Sequence, residues 1–143
     1  MIPSIDAMRL VLDTNVVVSA LLKPASVPGR ALAAMWSTNA VVLYDARIAL
    51  EYRDVLRRPK FRAIAPGLVD DFLARLTARG AELADVPAWS GAMTDDDDRI
   101  FVEVALAGRA HAIVTGNIRD YPVGIGFDVQ PPATLLAMLE VLD

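Results

Sequence analysis

Short apolar runs alternate along this chain with segments in which apolar residues recur at helical spacing, and this alternation is the strongest constraint on its fold. A continuous apolar run predicts a strand buried on both faces, and helical segments between such runs predict crossovers between parallel strands. The pattern therefore predicts an α/β fold with a mostly parallel, five-stranded sheet between two layers of helices. The predicted strands are Arg9 to Asp13, Ala40 to Tyr44, Ala81 to Val86, Ala112 to Thr115 and Phe127 to Val129.

Prolines and glycines mark the ends of the predicted helices. Pro24 and Pro28 divide the first crossover into segments 15–22 and 29–36. Asp45 is a good N-cap for the next helix, which Pro59 stops. Further helices are predicted from about Leu68 to Gly80, from the aspartate row at 95–98 to Gly108, and after Pro131 and Pro132.

The 143 residues, 55% of them hydrophobic, amount to one well-buried domain. Residues 1–7 are expected to form an extension outside a single domain at 8–143, with Met1 or Met8 as the start of translation. No apolar run reaches the roughly 18 residues of a membrane span, and no signal peptide is present. A cytoplasmic protein without a membrane role is expected.

The numbers of cysteine and histidine residues limit the metal sites and catalytic groups that the chain can form. The chain has no cysteine and one histidine, His111, which excludes disulfides and thiolate metal sites and disfavours a histidine zinc cluster or a Ser-His-Asp triad. Carboxylates must therefore carry any metal chemistry. The net charge of -4 argues against binding nucleic acid through overall charge.

One local strip is nevertheless basic. Six of the fourteen basic residues fall within sixteen positions: Arg47, Arg53, Arg57, Arg58, Lys60 and Arg62. A surface that contacts phosphates and an ordinary solvated helix face explain this strip equally well.

The acidic residues are the candidates for function, and helical geometry sorts them. In the helix after the aspartate row, Asp98 shares a face with Phe101, Val102 and Ala105, whereas Arg99 and Glu103 are predicted on the polar side. Asp95 to Asp97 are explained as helix capping and dipole chemistry. A buried Asp98 needs a partner, either backbone N–H groups or a cation.

Two further acids have competing explanations. Glu51 lies at the edge of an apolar helix stripe, and taken alone an ordinary salt bridge to Arg47 or Arg58 is favoured for it. Asp13 follows the first strand, where it either caps the next helix or faces a ligand crevice. If the first and fourth strands are neighbours, Asp13, Asp98 and the loop from Thr115 to Asp120 converge, with Glu51 beside them.

Several carboxylates in one crevice require a cation, and oxygen ligands select Mg²⁺ or Mn²⁺. A metal of this kind suits phosphodiester hydrolysis, because it polarises the phosphoryl oxygen and activates a water molecule.

Five motifs then stand in the order of a known family: Leu12-Asp13-Thr14-Asn15, Glu51 within Ala49 to Leu56, Asp95 to Asp98 with Phe101 and Ala105, Val114-Thr115-Gly116-Asn117, and Pro132 to Leu136. Arg57 to Phe61 is similar to the segment that follows the second acid in one subgroup. From Met8 onward the chain resembles PIN-domain proteins, in particular VapC-like ribonucleases that are toxins of toxin–antitoxin pairs.

The resemblance implies a PIN-like three-layer α/β/α sandwich and a metal-dependent endoribonuclease. It implies Asp13, Glu51 and Asp98 as catalytic acids and ligands of Mg²⁺ or Mn²⁺. The implied substrate-binding residues are Thr14, Asn15, Thr115, Asn117, Arg57 and Arg58. The implied partners are RNA, a cognate antitoxin and a second copy of the chain in a homodimer.

Asn117 departs from the family pattern, because many relatives have a fourth acid at this position. Asp120 either substitutes for that acid or faces solvent, so one metal site is expected rather than two. A non-catalytic PIN module that binds RNA or a partner protein is the alternative. A phosphotransfer domain is disfavoured, because Asn15 replaces the second Asp of a D-x-D motif and no Gly-rich loop with Lys is present.

Overall fold

The computed structural model describes residues 7–142, apart from the side chain of residue 142. Most of the predicted N-terminal extension lies outside the described residues. The chain forms a five-stranded sheet in the order β3-β2-β1-β4-β5, and every pair of neighbouring strands is parallel. The strands are β1 (Arg9–Leu12), β2 (Val41–Tyr44), β3 (Ala81–Glu82), β4 (Ala112–Val114) and β5 (Asp128–Gln130). This confirms the predicted α/β class.

Helices cover both faces of the sheet. They are α1 (Thr14–Leu22), α2 (Val27–Trp36), α3 (Ala46–Leu56), α4 (Pro66–Arg79), α5 (Arg99–Ala107) and α6 (Pro132–Leu142). From β1 the chain adds β2 and β3 on one side of the sheet and then β4 and β5 on the other side. Because crossovers between parallel strands are right-handed, α1 to α4 lie on one face of the sheet and α5 lies on the other. Helix α5 packs on β1, β2 and β4, while α6 packs against α2.

Strands β1 and β4 are direct neighbours at the centre of the sheet, as the switch-point prediction required. Leu10 lies opposite Ala112 and Leu12 opposite Val114. The backbone N–H of Asp13 donates to the carbonyl of Val114 over 2.9 Å, which extends this pairing to the ends of both strands. The turns after the two strands therefore start side by side at the carboxyl edge of the sheet.

The centre of the sheet is fully buried, with Leu10, Val11 and Leu12 at most 1% exposed. Burial on both faces explains the unbroken apolar run in β1. In the described part of the chain, no single helix is long and apolar enough to cross a membrane. Helices α1 and α2 reach that length and composition only together, but they bend by 101° at their break and contribute mainly buried residues to the core.

Three of the predicted boundaries differ from the structure for identifiable reasons. Strand β3 has two residues rather than six, because Asp85 adopts a left-handed backbone conformation and the chain leaves the sheet edge. Helix α2 begins at Val27 rather than Gly29, since Ser26 accepts a hydrogen bond from the Gly29 N–H and a proline is tolerated in a first turn. The aspartate row forms a 3₁₀ turn, Asp96–Asp98, and α5 follows from Arg99.

Candidate active site

Asp13 lies at the carboxyl end of β1 and is only 4% exposed. Its Oδ2 accepts hydrogen bonds from Thr115 Oγ1 at 2.8 Å, Tyr121 OH at 3.0 Å and Asn15 Nδ2 at 3.2 Å. Burial raises the pKa of Asp13, and the hydrogen bonds from Thr115 and Tyr121 oppose this shift by stabilising the carboxylate. The three donors also fix the orientation of the carboxyl group. They leave Oδ1 without a side-chain donor among the described residues.

The capping explanation for Asp13 is not supported by its geometry. Asp13 occupies the N-cap position of α1, but its side chain makes no capping hydrogen bond. All three of its side-chain hydrogen bonds instead join it to polar groups that lie after β1, after β4 and in the following loop. The carboxylate is therefore held mainly by these polar side chains, while the backbone N–H groups of Asn15 and Thr14 also oppose the rise in its pKa.

Asn15 and Thr115 connect the two central turns. Thr115 is fully buried, and its hydroxyl donates to Asp13 while accepting from the Asn117 N–H at 3.0 Å. The side-chain carbonyl of Asn15 accepts from the Gly116 N–H at 3.1 Å. The Asn117 side chain is exposed. These bonds hold the β1 and β4 turns in one fixed arrangement.

Glu51 is partly buried on α3, and its Oε2 accepts a hydrogen bond from Thr14 Oγ1 at 2.7 Å. The surface salt bridge to Arg47 or Arg58 is not formed among the described residues, because Arg47 pairs instead with Asp45 and Glu103. Thr14 therefore directs Glu51 towards the turn after β1, which carries Asp13.

Asp98 ends the 3₁₀ turn before α5 and is partly buried. Burial, followed by the negative charges of Asp13, Asp95, Glu51 and Asp120, raises its pKa to about 7. The charges of Asp13, Glu51 and Asp120 all act on Asp98, so these four acids lie near one another and are here called the acid site. No salt bridge in the described part of the chain involves any of these four residues.

Among the other members of the aspartate row, Asp95 has the capping role predicted for it. Asp95 Oδ1 accepts from the Asp97 N–H at 3.0 Å, which caps the 3₁₀ turn. Asp96 forms an ion pair with Arg99 at 2.7 Å, and Asp97 is exposed. Asp98 is thus the member of the row that belongs to the acid site.

Two tyrosines of the site were missed by the sequence analysis. The hydroxyl of Tyr121 donates to Asp13, and burial together with the charge of Asp13 raises the pKa of this tyrosine. The fully buried Tyr52 donates to the carbonyl of Leu12, one residue before Asp13. A buried tyrosine needs a partner for its hydroxyl, and this rule could have singled out Tyr52, which the helical pattern had counted as apolar.

Glu103 was predicted on the polar side of its helix, and this prediction is wrong. It is 6% exposed, forms an ion pair with Arg47 at 2.7 Å and accepts from the Trp89 N–H at 2.9 Å. The segment between β3 and α5 covers this face of α5, which the helical pattern alone does not reveal. Arg99, predicted on the same side, is also mostly covered and donates to the carbonyls of Trp89 and Gly91.

Arg47 also pairs with Asp45 at 2.7 Å, and the three residues Asp45, Arg47 and Glu103 are here called the Arg47 clamp. Asp45 additionally caps α3 by accepting from the Ile48 N–H at 3.0 Å, as predicted. Burial alone would lower the pKa of Arg47, but the hydrogen bonds to Glu103 and Asp45 raise it overall. The clamp therefore contains its own cation, which pairs with both of its carboxylates.

Arg57 and Arg58 are exposed at the end of α3 and make no contact with the acid site. Arg57 lies 3.6 Å from Asp70 in an exposed ion pair. The predicted substrate-binding residues therefore divide into a group near Asp13, namely Thr14, Asn15, Thr115 and the exposed Asn117, and a separate basic group.

The acid site supplies the ligand type that a divalent cation prefers, since carboxylate oxygens are hard donors. Among residues 7–142, no three acidic or histidine side chains lie close enough together to enclose a metal ion by themselves. The protein therefore offers a partial ligand shell with uncompensated negative charge. This fits a cation such as Mg²⁺, which keeps several of its water molecules when it binds.

Comparison with known proteins identifies the domain that carries these residues. A model of the PIN domain matches residues 9–119, well over half of the chain. The matched region includes Asp13, Glu51 and Asp98. Proteins with this domain are usually metal-dependent nucleases. No curated protein matches the chain.

Proposed function

Because the chain belongs to the PIN domain family, we propose that it is an endoribonuclease that hydrolyses RNA phosphodiester bonds with Mg²⁺ or Mn²⁺ and acts as the toxin of a toxin–antitoxin pair. The observation that carries the proposal is the acid site itself. Asp13, Glu51 and Asp98 meet where the central strands end, and no cation of the described chain pairs with them. Crevices at this edge of an open α/β sheet are common ligand sites.

In this proposal Asp13, Glu51 and Asp98 hold the metal together with the water molecules that it keeps, with Asp120 at its margin. A bound divalent cation supplies a nucleophilic hydroxide from water and neutralises charge on the phosphoryl group. The chain itself orients the metal-binding carboxylates through hydrogen bonds. Thr115, Tyr121 and Asn15 hold Asp13, while Thr14 holds Glu51. One oxygen of each of these two acids is engaged by protein donors, which leaves the other for the cation.

The ribonuclease, toxin, antitoxin and homodimer parts of the proposal rest on the motif resemblance described above. The same holds for a cytoplasmic location. Asn117 cannot replace a carboxylate as a charged ligand, so we propose one metal ion, with Asp120 as an additional acid whose charge acts on Asp98.

A non-catalytic module that binds RNA or a partner protein is the second candidate. Two observations favour it: Asn117 stands where many relatives have an acid, and no complete metal shell exists among the described residues.

The deciding experiment is cleavage of a mixed RNA pool with Mg²⁺, with Mn²⁺ and with a chelator. Wild type should cleave only with metal, and Asp98→Asn should lose at least about 100-fold in rate, because removing one such group from a metal or oxyanion site costs about that much. Asp97→Asn is the matched control, since it removes the same charge from an exposed neighbour.

Undiminished cleavage by Asp98→Asn would falsify the assignment of this residue. Wild-type protein that binds RNA without cleaving it under any of these conditions would instead favour the non-catalytic module.

A further inference from the structure

Arg99 is the first residue of α5 and directly follows Asp98 of the acid site. Its Nη1 donates to the carbonyls of Trp89 and Gly91 at 2.8 and 2.7 Å, and its Cζ lies 5.5 Å from the centre of the Trp89 ring. Its Nε donates to Asp96 Oδ1 at 2.8 Å, and its Nη2 lies 2.7 Å from the same oxygen. One guanidinium therefore ties the 3₁₀ turn before α5 to the segment that contains Trp89.

The charge of Arg99 does not explain its position at the start of a helix. The first turn of a helix carries partial positive charge, so a basic side chain is unfavourable there and stabilising in the last turn. The ion pair with Asp96 offsets this only weakly, because the Asp96 side chain is 81% exposed and exposed ion pairs contribute little. The hydrogen bonds of Arg99 are therefore the more important part of its role.

These hydrogen bonds hold the backbone on both sides of Asp98. Asp96 lies two residues before Asp98, and Arg99 lies one residue after it. Asp98 itself makes no capping hydrogen bond and no salt bridge within the described residues. The other two acids of the proposed metal site differ, because protein donors bind their carboxylates directly.

Asp98 is also exposed to repulsion from the neighbouring acids of the site, whose negative charges act on it. In the metal-free fold this repulsion favours movement of the Asp98 carboxylate away from the other acids. Only the fixed turn opposes that movement, since no donor among the described side chains binds the carboxylate. The contacts of Arg99 with Asp96 and with the segment that contains Trp89 supply this restraint.

We propose that Arg99 is a positioning residue of the acid site, which holds the Asp98 carboxylate where it can bind the divalent cation. Groups that orient a metal ligand without touching the metal contribute to its affinity, because the ligand is then held ready for binding. This inference rests on the proposed function, since it assumes a metal at the acid site. It assigns part of the metal affinity to a residue that is not itself a ligand.

The test is the affinity of the full chain for Mn²⁺ in the absence of RNA, measured from the EPR signal of free Mn²⁺. In Arg99→Met, which keeps the apolar length of the side chain but removes its donors, the dissociation constant should rise about 10- to 100-fold. Charge alone predicts the opposite change, because removing a nearby cation should tighten the binding of Mn²⁺. The sign of the change therefore separates positioning from simple electrostatics.

Arg79→Met is the matched control, because Arg79 makes the same kinds of contact at the other edge of the sheet. Arg79 donates to the carbonyls of Trp36 and Thr38 at 2.6 and 2.8 Å, and its Cζ lies 5.4 Å from the centre of the Trp36 ring. It ends α4 just before β3, at the amino edge of the sheet. Arg79→Met should lower stability in urea unfolding but leave the affinity for Mn²⁺ unchanged.

A double variant tests whether Arg99 acts through Asp98. In the Asp98→Asn background, Arg99→Met should weaken Mn²⁺ binding little further, because the carboxylate that it positions is already absent. Should Arg99→Met not fold, Arg99→Lys takes its place, since Lys keeps the charge but lacks the planar fork that spans Asp96 and the two carbonyls. Arg99→Lys should also weaken Mn²⁺ binding.

Unchanged or tighter Mn²⁺ binding by the Arg99 variant, equal weakening in Arg79→Met, or full additivity with Asp98→Asn would overturn the inference. Mn²⁺ binding by wild type that does not depend on Arg99 contradicts the positioning role alone. Mn²⁺ binding that depends on Arg99, without RNA cleavage by wild type, contradicts the proposed catalytic function alone. Wild-type protein that binds no Mn²⁺ contradicts both.

Discussion

The Arg47 clamp and the acid site are both built from carboxylates of low exposure, but only the clamp contains its own cation. In the clamp, Arg47 lies 2.7 Å from both Asp45 and Glu103. In the acid site, neighbouring acids act on Asp98 without a basic partner, and its pKa rises to about 7. Uncompensated carboxylates are costly, so a fold that keeps them is prepared to receive a cation from outside.

The two clusters also join the same pair of helices. Helix α3 carries Arg47 and, one turn later, Glu51, while α5 carries Glu103 and directly follows Asp98. The clamp therefore fixes the spacing of the helices that bring Glu51 and Asp98 together. The clamp, which contains its own cation, therefore supports the acid site, which does not. Mutations in the two clusters test this dependence.

The largest effect on stability is expected from opening the clamp. Arg47→Met leaves Glu103 buried without its cation and should lower the free energy of unfolding by about 2–3 kcal/mol, somewhat below the range for fully buried pairs because Arg47 is 44% exposed. Urea unfolding measures this. Arg75→Met is the control, since it breaks an exposed pair with Asp71 and should cost less than about 0.5 kcal/mol. Equal losses in both variants would show that the clamp is no more than surface charge.

At the acid site, a mutation is expected to raise the free energy of unfolding rather than lower it. The raised pKa means that ionised Asp98 destabilises the metal-free fold as pH rises from about 4, the usual value for aspartate, through about 7. Asp98→Asn should therefore stabilise the metal-free protein at pH 8 by about 1–2 kcal/mol, after allowing for solvent screening of a half-exposed group, and the gain should vanish below pH 4.

Thermal melts with a chelator at pH 4 to 8 measure this gain, with Asp97→Asn as the control. A stabilisation that does not depend on pH would mean that charge repulsion at Asp98 is not its cause.

The smallest expected effect on stability comes from removing the hydroxyl of either of two buried tyrosines, and the pH dependence of cleavage distinguishes them. Tyr121→Phe and Tyr52→Phe each remove one buried hydrogen bond, at a cost of about 1 kcal/mol in the free energy of unfolding. Tyr121 donates to a carboxylate, so its loss should raise the pKa of Asp13 and move the half-maximal pH of metal-dependent cleavage upward. Tyr52 donates to a backbone carbonyl. An identical pH profile in both variants would show that the Tyr121 hydroxyl does not influence the pKa of Asp13.

Local sequence patterns predicted the parallel sheet and the special position of Asp98. Each of these follows from residues close together in the chain, such as the apolar run before Asp13 or the helical spacing of Asp98 and Phe101. In the acid site, burial and neighbouring charges dominate the pKa of Asp98, which agrees with its predicted place on the apolar face.

Contacts made by irregular segments could not be predicted in this way. Glu103 is covered by the segment that contains Trp89, and Tyr121 reaches Asp13 from a loop without periodicity. Strand β3 is short because the backbone turns at Asp85, which no propensity of its residues requires. These features depend on tertiary packing between parts of the chain that carry no local signal.

The hydrogen bonds to Asp13 also determine when the site can first exist during synthesis. Thr115 and Tyr121 lie 102 and 108 positions after Asp13 in the chain. At about 5–20 residues per second, a ribosome needs roughly 5–20 s to proceed from Asp13 to Thr115. A nascent chain in which Asp13 and Glu51 have already been made therefore has no assembled acid site, and the nuclease proposed here would become competent only after Thr115 and Tyr121 have also been synthesised.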